Sequence, residues 1–206
     1  MNYLQDPDST INMILRWIME AIETTVILVV SCVLILPAGA SLCSLFEIMQ
    51  RKTADQSDFS IPLFIRTFRK NFKDATVLWL LLLAAGVLLS FEFYFVFFNE
   101  FSVDPLLMLV VKGLTIETDL LYMTILLMAF QVMAFYHTSV WKTVKYALIL
   151  AIKGCRYFIL MSIVYALPVL LGVLNPLLIV YLILFAPWCC IYLSSKLFLK
   201  IADMLS

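Results

Sequence analysis

Residues 60–98 read SIPLFIRTFRKNFKDATVLWLLLLAAGVLLSFEFYFVFF, and two patterns meet inside this stretch. Up to Lys73, Ile61, Phe64, Ile65, Phe68 and Phe72 recur at helical spacing, while Arg66, Arg69, Lys70 and Lys73 fill the opposite face. From Ala75 to Phe98 nearly every residue is apolar. Crossing the hydrocarbon takes about 20 apolar residues at about 1.5 Å each. The second pattern therefore predicts a transmembrane helix. The first predicts an interfacial amphipathic helix lying under the membrane on anionic headgroups. Ser60 suits its N-cap and Pro62 its first turn.

The same alternation continues on both sides. Hydrophobic residues make up 64% of the 206, and only 14% are charged, against roughly 25% in a soluble domain. The mean hydropathy of +1.04 excludes a soluble protein. The reading is an all-α polytopic membrane protein, one transmembrane domain over residues 1–206 with about five spans. These are placed at 24–49, 75–98, 114–135, 157–174 and 177–198. Interfacial helices are predicted at 9–23, 60–73 and 139–153. The last two lead into spans 2 and 4, which suggests a repeat of helix plus hairpin.

Twelve of the fourteen Lys and Arg residues fall within 51–73, 142–156 and 196–200. Loops rich in Lys and Arg stay cytoplasmic. With five spans the clusters follow spans 1, 3 and 5, which puts the N-terminus outside and the C-terminus in the cytoplasm of a bacterial inner membrane. Arg16 and Lys112 then lie outside, with Asp6, Asp8, Glu100, Asp104, Glu117 and Asp119. The first residues, MNYLQDPDST, lack the basic start of a cleavable signal.

Few residues carry legible chemistry. Pro37-Ala38-Gly39-Ala40 interrupts span 1, either as a bend with small residues for close packing or as a discontinuous helix lining a cavity. Carboxylates in spans are costly and usually purposeful. Glu92 lies about two turns from the outer end of span 2. It reads as a structural hydrogen-bonder or as a proton or solute site. Glu47 sits four residues before Arg51, the spacing of a helical ion pair. Gln131 is polar within span 3. Glu92, Glu47, Gln131 and Pro37 are thus the candidate solute or partner contacts. Arg66, Arg69, Lys70 and Lys73 form the lipid- or partner-facing basic helix.

No catalytic, cofactor or metal site is expected. His137 is the single histidine, and it reads as an interfacial residue. The five cysteines have no metal-ligand spacing and read as small hydrophobes. Five scattered glycines supply no phosphate loop.

Three stretches resemble the YesL family of small bacterial membrane proteins. They are LILPAGASLCSLFEIM, FIRTFRKNFKDATVLWLLLLAAGVLLSFEFYF and TVKYALILAIKGCRYFIL. The middle one is similar to the family's pattern of Phe-Lys-x-Asn-Phe-Lys before a Trp-Leu-rich span. The resemblance supplies no catalytic residue, and the chain reads as a non-enzyme. The resemblance implies an accessory role beside sugar ABC importers, whose subunits are then expected partners. No nucleic-acid partner is expected, and a homo-oligomer stays open. A small-solute permease using Glu92 or the Pro37 break is the alternative. Glu20-Ala21 and Ile35-Leu36-Pro37 mimic fragments of an ABC permease, but they flank a span that starts outside on this reading.

Overall fold

The computed structural model describes residues 10–33, 37–54, 56, 59–99, 105–175 and 179–203. Asp6, Asp8, Ser9, Glu100 and Asp104 lie outside the described residues. The described chain is all helical: α1 (Thr10–Val33), α2 (Ala38–Thr53), α3 (Ile61–Phe98), α4 (Pro105–Tyr136), α5 (Val140–Lys153), α6 (Cys155–Leu174) and α7 (Ile179–Asp203). Four of these, α3, α4, α6 and α7, are long and apolar enough to cross a membrane. The chain is a membrane-embedded helical bundle.

The expected first span at 24–49 is not one helix. The Ser31 and Ser41 hydroxyls are 2.6 Å apart, and Lys52 donates to the Glu20 carboxylate. Both pairs of numbers sum to the same value, so α1 and α2 run antiparallel as a hairpin that turns around Pro37. Proline lacks the N–H a continuing helix needs. Here it precedes α2 as its N-cap, and its carbonyl accepts from the Ser41 amide at 2.9 Å. The amino-terminal half of α1 therefore shares an end of the bundle with Arg51 and Lys52. The five-span reading separated Arg16 from them by a bilayer.

Twelve of the 16 residues of α2 are buried, which makes it the central helix. It packs against α1, α3, α4 and α7. A Cβ on Gly39 would lie 2.3 Å from the Trp79 Cβ and 2.7 Å from the Ala75 carbonyl oxygen. Only glycine permits this approach, the usual role of small residues between membrane helices.

α3 begins where the sequence placed it. Ser60 is extended (φ −152°, ψ 143°) and Pro62 lies in the first turn. It then runs unbroken for 38 residues, about 57 Å at 1.5 Å per residue. That is nearly twice a hydrocarbon core of about 30 Å. The expected interfacial helix at 60–73 is thus the first part of one rod that continues beyond the span. Residues 63–85 contain neither Gly nor Pro, so nothing lets the chain turn there. The helix expected at 9–23 is likewise the start of α1.

α3 and α4 form an antiparallel pair. The Tyr122 hydroxyl donates to the Leu82 carbonyl at 3.0 Å, and the Trp79 and Phe130 rings lie 6.2 Å apart. α6 and α7 form a second pair, joined by the Tyr165 hydroxyl donating to Ser194 Oγ at 3.0 Å. α5 matches the expected helix at 139–153. Its buried face, Thr143, Ala147, Leu150 and Ala151, packs mainly on α4. Gly154 separates it from α6. The two suggested repeat units therefore differ: the second breaks at Gly154 and the first does not break at all.

Candidate functional site

The most polar buried point is Glu47, whose side chain is 3% exposed. Oε1 accepts from Arg51 Nη2 at 2.5 Å, one helical turn further along α2. Lys70 Nζ lies 3.4 Å from the same oxygen. Oε2 accepts from Asn71 Nδ2 at 2.7 Å. His137 Nε2 stands 3.8 Å from Oε1 and 3.1 Å from Lys70 Nζ. Three elements thus converge on one carboxylate: α2, α3 and the residue after α4. An ion pair taken out of water holds only if its remaining hydrogen-bonding capacity is met. Asn71 meets it at Oε2.

His137 ends α4 in the left-handed region (φ 48°), and its amide donates to the Met133 carbonyl at 3.0 Å. That is an αL helix ending, more usual for glycine or asparagine. Burial pushes the His137 imidazole below its ordinary value of 6.5. Glu47 opposes that shift, and the Lys70 and Arg51 charges reinforce it. A cavity of about 210 Å³ opens beside the ring, with Glu47, Arg51, Gln50, Gln56 and Phe135 among its walls.

Gln131 is fully buried below this cluster. Its backbone carbonyl accepts from Gln50 Nε2 at 3.2 Å, and its own Nε2 donates to Leu127. Its Oε1 has no partner among the described residues. A second buried ion pair, Glu20 with Lys52, ties α1 to α2.

Among the sequence candidates, Glu47 and Arg51 form the expected pair. Lys70 leaves the proposed lipid-facing set and turns toward Glu47, while Arg66, Arg69 and Lys73 are exposed and have no carboxylate partner among the described residues. Pro37 sits at the hairpin turn, away from the Glu47 cluster. Glu92 is exposed on α3, and its only described polar contact is the Thr115 hydroxyl, 3.4 Å from Oε1. Glu92 lines neither the cavity beside Glu47 nor a larger one of about 740 Å³. That larger cavity lies between the hairpin and α6–α7, with Leu42, Phe46, Pro168, Leu182 and Pro187 among its walls. Of the described cysteines, Cys43 and Cys190 are buried and Cys155 is exposed.

Sequence reasoning missed Asn71 and His137. The signal for Asn71 was present. The buried residues of α3 are Thr67, Asn71, Ala75, Leu78 and Leu82, one helical stripe whose first two members are polar. No local signal marked His137, because its partners lie 67 and 90 residues away.

Residues 15–93 match the family described as "Protein of unknown function, DUF624", which includes YesL-like proteins. The matched segment covers most of α1, all of α2 and α3 as far as Phe93, and so contains Glu47, Arg51, Lys70 and Asn71 but not His137. No curated protein and no solved structure matches the chain.

Proposed function

We propose that this chain is a non-enzymatic accessory or assembly protein of a bacterial cytoplasmic membrane. It works beside a carbohydrate ABC importer through helix packing and its basic end. The tie to carbohydrate import rests on the YesL resemblance, which the match over residues 15–93 supports. The basic end rests on the fold. With α1 and α2 as a hairpin, the half of α1 that carries Arg16 shares the end of the bundle that holds Arg51, Lys52 and Lys70. By the positive-inside rule that end is cytoplasmic.

The observation that carries the reading is the first part of α3. It continues the span as a rigid rod and presents Arg66, Arg69 and Lys73 without carboxylate partners among the described residues. Such a rod can engage anionic headgroups or the acidic face of an importer subunit. The permease alternative is favoured by one observation, the break at Pro37 that opens the buried helix α2. The cavity nearest that break is almost wholly apolar. Its one hydroxyl, on Tyr165, already donates to Ser194, which suits hydrocarbon better than a sugar.

Purification from native membranes in mild detergent tests the proposal. Stoichiometric recovery with importer membrane subunits is the expected result. A lone oligomer that a sugar stabilises against heat would overturn it in favour of the permease.

A further inference from the structure

We propose that the cavity beside Glu47 binds a phosphate-sized oxyanion, either dissolved or carried by a lipid headgroup. This inference stands apart from the importer reading. Among the described residues lining the cavity Glu47 is the one acid, and its oxygens are already engaged by Arg51, Lys70 and Asn71. Among the described residues, two full cations thus surround one carboxylate.

The donors are not exhausted. A guanidinium carries five N–H groups in a fixed fork, and one Arg51 nitrogen is committed to Glu47. Arg51 lines the cavity with its side chain 40% exposed, and Lys70, 50% exposed, stands beside it on Glu47 and His137. His137 lines the same cavity, and Gln56 adds an amide at its rim. Ala134, Phe135 and Leu199 supply apolar walls, which strengthen a charge-assisted contact by excluding water.

Size restricts the ligand. Drug-sized ligands occupy pockets of about 300–1,000 Å³. At about 210 Å³ this cavity takes a tetrahedral oxyanion with a few waters but not a nucleotide. The charged groups facing His137 are Glu47 and Arg51 from α2 and Lys70 from α3. A protonated ring there meets two like charges, and an oxyanion among them relieves that conflict. Anion binding and protonation of His137 therefore favour each other.

The chain's single histidine makes the test clean. The His137 imidazole resonances of the full chain in maltoside detergent are followed by NMR during addition of sodium sulfate. Sodium chloride at equal ionic strength is the control. Sulfate should give a saturable shift and raise the pH midpoint of the ring. Arg51→Lys keeps the charge beside Glu47 but loses the fork, and Lys70→Gln removes a cation. Each should weaken sulfate binding by about tenfold, the size of one charge-assisted hydrogen bond. Lys70→Gln leaves the Arg51 pair in place should Arg51→Lys not fold. A parallel arm compares nanodiscs of phosphatidylcholine with and without phosphatidic acid. A response to sulfate assigns a dissolved anion, and a response to phosphatidic acid alone assigns a headgroup. No saturable change in either arm, or an undiminished response in both variants, overturns the site.

Discussion

Ser31 and Ser41 touch through their hydroxyls at 2.6 Å, across the turn that holds Pro37. The contact fixes the direction of α2 against α1. Two cysteines at these positions should form a disulfide without moving the backbone, because hydroxyls this close place the Cβ atoms within bridging range. In a background lacking native cysteines, Ser31→Cys/Ser41→Cys should oxidise readily, and proteolysis between 51 and 61 should then leave a more compact amino-terminal fragment on a non-reducing gel. A straight helix across 24–49 would hold the two residues about 15 Å apart and give no bridge.

At Gly39 the α2 backbone lies directly against Trp79 and Ala75 of α3. Gly39→Ala would press a methyl group onto the Trp79 Cβ and the Ala75 carbonyl, neither of which can swing away. Overpacking of this kind costs about 1–3 kcal/mol. The thermal midpoint in detergent should fall, and Gly113→Ala, where a Cβ meets open space, should leave it nearly unchanged.

Glu47 and Glu92 looked alike in the sequence, each an acid within an apolar run. Their surroundings now separate them. Glu47→Gln leaves Arg51 and Lys70 facing each other with no counter-charge and takes the Oε2 acceptor from Asn71. Because both cations are partly exposed, the loss should be about 1–3 kcal/mol, that of an unmet buried hydrogen bond. Glu92→Gln changes an exposed residue with one long contact, so its effect should stay within about 0.5 kcal/mol. Chemical denaturation of the two variants compares them directly. Equal losses would mean that the convergence on Glu47 does not hold.

His137 makes stability depend on pH in a definable direction. Its pKa in the fold lies below the value of 6.5 that it regains on unfolding. Between those two values the unfolded chain binds more protons, so stability rises with pH there. The contribution is fully present above about 6.5 and is lost as pH falls toward the folded value. His137→Asn keeps a residue tolerant of positive φ and removes the titration. Midpoints measured from pH 7.5 down to 5 should fall more steeply for the parent than for this variant.

Much of the fold was legible because it is local. Ser60 and Pro62 announce α3, and Ser139 with the polar and apolar faces after it announces α5 to within a residue. The hairpin was not legible. A run of apolar residues with a proline near its middle has the same composition whether it crosses once or folds back. Only the pairing of Ser31 with Ser41 and of Glu20 with Lys52 separates the two. The missing bend before span 2 was readable in principle, from the absence of Gly and Pro over 63–85. The Glu47 site was half legible. Arg51 is one turn away in sequence, whereas Asn71 and His137 arrive through tertiary packing.

Sidedness follows from the hairpin and can be read by labelling. With one crossing over 24–49, Asn12 and Gln56 lie on opposite sides of the membrane. With a hairpin they lie on the same side, and the basic residues make that side cytoplasmic. Asn12 lines a polar groove with Arg16, Glu20 and Glu23, so a reagent in water can reach it. Gln56 and Asn99 are exposed. Single cysteines at 12, 56 and 99, in a background without native cysteines, should respond differently to an impermeant thiol reagent. Intact cells should label position 99 alone, and opened membranes should label all three. Labelling of position 12 together with 99 in intact cells would restore the five-span arrangement and remove the hairpin.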